Sequence, residues 1–225
     1  MPTYEQLGFG QGAALTGDRA RTVFGHVMGL VACALAFSAL GAYIARNWVG
    51  GGGIILFLGA FACIFGLQSA ARRGHEQLAT ALLFGMGLLL GMAVAPILVY
   101  YAKADPGVVY QAAGSTALFV GLLGSIGYST RRDLSRMVRP LMIGFIAVFA
   151  FGLIALFVAI PGANIIYCAL MLVVFGGFTL FDFNRLASNP RYGSAVPIAA
   201  SIFLDIFNVF LLLLSLFGGG GGGRR

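Results

Sequence analysis

The run VPIAASIFLDIFNVFLLLLSLF, residues 196–217, holds a single charge, Asp205, in 22 positions. About 20 predominantly apolar residues wound as a helix match the hydrocarbon thickness of a bilayer. Six further runs of the same kind precede it, at roughly 22–45, 53–71, 77–101, 107–128, 139–160 and 163–186. The expected fold class is therefore an all-α integral membrane protein with seven transmembrane helices. Interfacial residues bound several runs: Trp48 after the first, Tyr100-Tyr101 at the end of the third, and a Pro161-Gly162 turn after the fifth.

Composition agrees. Of 225 residues, 60% are hydrophobic and 9% charged, against about 45–50% and about 25% in soluble domains. Seven spans consume ~140 residues, which leaves short loops and no room for a soluble domain. The expected organisation is a flexible polar tail at 1–20, a seven-helix membrane domain at 21–217 and a Gly-rich tail at 218–225. The acidic and basic residues ahead of the first span are unlike a secretory leader, so that span is expected to act as its own insertion signal.

The net charge of +7 would suggest nucleic acid in a soluble protein, but here the basic residues sit in short loops between apolar runs. No nucleic-acid partner is expected, and the charges read as topology signals. With the N-terminus inside, ten basic residues fall on the cytoplasmic side, including Arg72, Arg73, Arg131, Arg132 and Arg185, and four fall outside. That asymmetry favours a cytoplasmic N-terminus and an external C-terminus. The lipid bilayer is thus the first expected partner.

Five of the seven acidic residues lie in the tail or loops. The other two, Asp182 in FTLFDF (178–183) and Asp205 in IFLDIF (202–207), lie within apolar runs. An intramembrane carboxylate costs roughly 2.5–3.5 kcal/mol on insertion scales and marks a functional-site hypothesis whose partner must be named. Each aspartate is the other's natural partner. Asp182 stands ~6 Å before the cytoplasmic end of the sixth span and Asp205 ~13 Å beyond the start of the seventh. Antiparallel neighbours joined by a short loop would bring the two to similar depth. Two carboxyls so close and so dry resist simultaneous ionisation and share a proton. Ser201 and Asn208 flank Asp205 at i−4 and i+3 and are expected to hydrogen-bond it or to line a hydrated path. Arg72 and Arg73 end the second span on the same side. Arg185, three residues after Asp182, either reaches the pair or snorkels to the headgroups.

Several classes are excluded. A retinal protein needs an intramembrane lysine, and the single lysine, Lys103, is in a loop. An intramembrane serine protease needs a facing Ser and His, whereas His75 is in a loop and His26 has no obvious serine partner. The glycines at 8, 10 and 12 follow no strand, so they are not a nucleotide loop. Cys33, Cys63 and Cys168 lack metal or redox spacing. Neither an enzyme nor a cofactor is expected.

Residues 201–214, SIFLDIFNVFLLLL, resemble the last-helix signature of the transmembrane Bax inhibitor motif family. Gly114-Ser-Thr, Arg131-Arg-Asp-Leu-Ser, Phe181-Asp-Phe-Asn and the stretch Gly91 to Pro96 agree with it, so the resemblance covers about residues 20–217. It implies six helices in two triple-helix layers wrapped around a central C-terminal helix. It also implies a pH-sensitive calcium leak gated by an aspartate pair, which falls on Asp182 and Asp205. The family's second-helix arginine falls on Arg73, with Arg72 one register away. Phe181 stands where the family often has Tyr. Calcium would be the permeant, held transiently by Asp182 and Asp205. The chain looks like a bacterial-type member of the inner membrane. Some bacterial relatives regulate a membrane-bound ATP-dependent protease, which makes a non-conducting regulator with the 1–20 tail as its handle the alternative. A proton-coupled transporter using the pair as a relay is a third reading.

Overall fold

A computed structural model describes residues 8–48, 52–158, 161–188 and 194–219, with side chains from residue 21 onward. Among the described residues there are seven α-helices: α1 Gly8–Ile44, α2 Gly53–Arg72, α3 Glu76–Ala104, α4 Pro106–Ser129, α5 Val138–Phe157, α6 Ala163–Ser188 and α7 Val196–Gly219. Single 3-10 turns follow α1 and precede α5, and there is no strand among the described residues. Each helix includes a segment long and apolar enough to cross a membrane. In lipid every backbone group must be satisfied within its own segment, and helices do this without a partner strand.

The boundaries follow local chemistry. Asp105 ends α3 and caps α4, its Oδ1 accepting from the Gly107 N–H at 2.9 Å, with Pro106 in the first turn where a missing N–H costs nothing. Gly162 takes the positive φ of 76° that the Pro161-Gly162 turn requires. Helix α1 differs from expectation: it begins at Gly8 and takes in most of the segment read as a tail. Extending an existing helix adds one hydrogen bond per residue fixed, and Ala13-Ala14-Leu15 favours it. Residues 1–7 of the tail, Arg191 of the inside loops and the terminal Arg224-Arg225 lie outside the described residues.

The helices pack in two triads. Helix α3 lies against both α1 and α2, and α6 lies against both α4 and α5. Helix α7 touches α1, α2, α3, α4 and α6, whereas α5 has no backbone neighbour on it. Burial follows: 50% of the most apolar window of α7 is buried, and 0% of that of α5. Two cavities flank α7 between the triads. One, of about 770 Å³, opens between α1 and α4; the other, of about 1030 Å³, opens between α2 and α5.

Close approach is concentrated at α1 and α3. A Cβ added to Gly87 would run into the Ala34 carbonyl, and one added to Gly91 into the Ser38 carbonyl. The same spacing at Gly25 and Gly29 meets nothing within 4 Å. Only the first pair is a packing device. Gly91→Ala should therefore cost about 1–3 kcal/mol through overpacking. Gly25→Ala should instead gain up to about 1 kcal/mol of helix propensity. Thermal unfolding of the two variants in detergent should shift in opposite directions.

Candidate functional site

Asp182 and Asp205 are 6% and 5% exposed, the two buried acidic residues among the described positions. Helix α6 continues to Ser188, two residues past the expected end. Asp182 therefore stands about 9 Å from that end and Asp205 about 13 Å from the start of α7, closer in depth than the apolar runs alone suggest. The two carboxyls face each other across the α6–α7 contact. Both line the cavity between α2 and α5.

Each carboxyl has a distinct neighbourhood. Asp182 faces the Arg185 guanidinium on its own helix and the Ser201 hydroxyl on α7. Asp205 faces Asp182 and Thr179. The Thr179 hydroxyl, however, donates to the Phe175 carbonyl of its own helix at 2.9 Å. The Asn208 amide likewise donates to the Leu204 carbonyl at 2.7 Å. Asp205 Oδ2 is consequently a buried oxygen with no hydrogen-bond partner. A carboxylate oxygen buried without a partner is costly.

The other residues singled out from sequence separate clearly. Ser201 serves Asp182, across the helix interface, and Asn208 lines the same cavity with its amide turned to its own backbone. Arg72 donates to Gln68 Oε1 at 3.3 Å, and Arg73 is exposed at the end of α2. Neither borders the cavity; the cation at the pair in this conformation is Arg185. Among the described residues, no three of His, Cys, Asp and Glu gather into a metal-binding group.

Asn184 was not singled out from the sequence. It is 2% exposed, donates to the Thr130 carbonyl at 2.7 Å and the Gly127 carbonyl at 3.4 Å, and accepts from the Leu134 N–H at 3.3 Å. One side chain thus ties the end of α4 and the following loop to α6, two residues from Asp182. Its signal was its place in Phe181-Asp-Phe-Asn, a polar residue in an apolar run beside a charged one. In that loop Asp133 Oδ1 accepts from the Ser135 hydroxyl and N–H, which hold its carboxyl below the usual range.

A family model described as "Inhibitor of apoptosis-promoting Bax1" matches residues 20–222. The chain belongs to this Bax inhibitor-like family. Similar proteins include an uncharacterized protein of Helicobacter pylori, 29% identical over 165 residues that cover 73% of this chain and 70% of the relative. An uncharacterized membrane protein of Vibrio cholerae is 29% identical over 167 residues, covering 73% and 74% of the two chains. A protein of Deinococcus radiodurans is 27% identical over 213 residues, covering 88% and 91%. This Bax inhibitor-like protein is thus a multi-pass membrane protein, and its pair of intramembrane aspartates lies within the matched region.

Two outcomes follow. Asn184→Ala removes the partner of the part-buried Leu134 N–H and Thr130 carbonyl, while the Gly127 carbonyl keeps the Thr130 N–H, and should lower unfolding stability by about 1–3 kcal/mol, read as a fall in melting temperature. Asp133 binds its proton less readily folded than unfolded, so its contribution to stability is present above the ordinary carboxylate pKa and lost as pH falls through the lowered value. Replacing it by Asn should lower stability slightly near neutral pH, where the carboxylate's contribution is present, and remove its share of the loss in acid, read as a smaller fall in melting temperature between neutral and acid pH.

Proposed function

We propose that this protein is a pH-gated passive cation pathway, for which calcium is the fitting permeant, and that Asp182 and Asp205 are its gate. The observation that carries this reading is the unpartnered, buried Asp205 Oδ2 facing a second buried carboxyl in the wall of an open cavity. Such a site accepts a proton or a hard cation in the same place. Hard cations take oxygen ligands, and a protonated pair withholds them. Proton and calcium therefore compete for one set of oxygens, and the winner also sets how α7 packs on α6. A few kcal/mol of difference between those packings is enough to bias a closed–open equilibrium.

Arg185 is the counter-charge in the conformation described here. Arg73 and Arg72 stand at the end of α2, outside the lining of the cavity. No catalytic nucleophile or base is needed for this role, and the protein acts without chemical turnover. The setting is a bacterial inner membrane, with the Arg72, Arg131 and Arg185 end of the bundle in the cytoplasm, as the positive-inside rule favours.

Reconstitution in vesicles loaded with a calcium-sensitive dye tests the reading. Wild-type flux should exceed that of empty vesicles and vary from about pH 6 to about pH 8, with the variation flattened in both Asp182→Asn and Asp205→Asn, since the pair titrates as a unit. Flux at background from folded protein would sink the leak and leave regulation of a membrane-bound ATP-dependent protease as the account to pursue.

A further inference from the structure

The polar residues of α7 do not stop at the pair. Ser201, Asp205, Asn208 and Ser215 all border the α2–α5 cavity. At 3.6 residues per turn, positions 201, 205, 208 and 215 fall within an arc of about 80° on one edge of the helix. A single apolar residue, Leu212, interrupts that line, and it is 8% exposed. Opposite it on α6 lie Met171, 2% exposed, and Cys168, 1% exposed, in one apolar cluster with Leu212. Beyond the interruption the polar character resumes. The Ser215 hydroxyl donates to Asn164 Oδ1 at 3.3 Å, which joins the far ends of α6 and α7. Asn164 itself is exposed.

We infer that the cavity-facing edge of α7 is a conduction track with an outer cation station of neutral oxygens at Asn164 and Ser215, separated from the aspartate pair by a hydrophobic gate at Leu212 and Met171. The inference rests on the proposed leak and adds what that reading lacks, a route to the opposite face. From Asn208 to Ser215 is two turns, about 10 Å. Over that length Leu212, Met171 and Cys168 line the cavity with apolar surface between its two polar ends, and an apolar stretch of wall opposes the passage of a hydrated ion. Asn164 Oδ1 and Ser215 Oγ are hard oxygen ligands without charge, suited to a cation that must bind briefly and leave. The inner carboxyls supply the charge and the proton sensitivity, and the outer station supplies the exit.

The test uses the full chain in dye-loaded vesicles. Leu212→Ser wets the gap and should raise calcium flux roughly tenfold at every pH, while the pH profile set by the pair persists. Asn164→Leu, at an exposed position, should cut flux severalfold with at most a small fall in melting temperature from the lost Ser215 hydrogen bond. A wild-type protein with no flux overturns both this inference and the leak. A leaking, pH-sensitive wild type whose folded Leu212→Ser variant leaks no faster overturns the gate alone. Unchanged flux in Asn164→Leu overturns the outer station, and it does so whether or not Leu212→Ser folds.

Discussion

Asp205 sits near the middle of α7, the helix with the largest buried share among the described spans, with its Oδ2 buried and without a hydrogen-bond partner. Insertion scales put the cost at roughly 2.5–3.5 kcal/mol, comparable to the whole contribution of a well-packed core side chain. That cost constrains its surroundings. Asp182 must stand at matching depth, so α6 runs on to Ser188 and holds Arg185 one turn beyond the aspartate. Asn184 fixes α6 against the end of α4, which orients the carboxyl two residues away.

The number of helices and the two costly aspartates were legible in the sequence because each is a departure from background. An apolar run stands out against polar loops, and a lone carboxylate stands out within an apolar run. The rotation of each helix was not legible. In water the buried face is apolar and the exposed face polar, so periodicity reveals it. In lipid both faces are apolar, and the pattern is silent. This is why Gly25 and Gly29 look identical to Gly87 and Gly91 on paper while only the latter meet another backbone.

The same silence explains the polar partners. Ser201 is four residues from Asp205 on its own helix, yet it faces Asp182 on the neighbouring one. Thr179 looks like a donor to a carboxylate and gives its hydrogen to the Phe175 carbonyl, a bond that any helical threonine can make. Arg73, carried over from the family pattern, is exposed at the end of α2, and Arg185, a residue with two open readings, faces the pair. Sequence spacing describes neighbours along one helix. Which helix lies across from it is decided by packing.

The order of synthesis gives the central position of α7 a biogenetic consequence. Helices α1 to α6 leave the ribosome first, and in the folded protein they lie as two triads on either side of α7. The helix that completes the core emerges last, and it carries the residue least welcome in lipid. A chain that stopped before this segment would leave Asp182 without its neighbouring carboxyl and the two triads without the helix that lies between them.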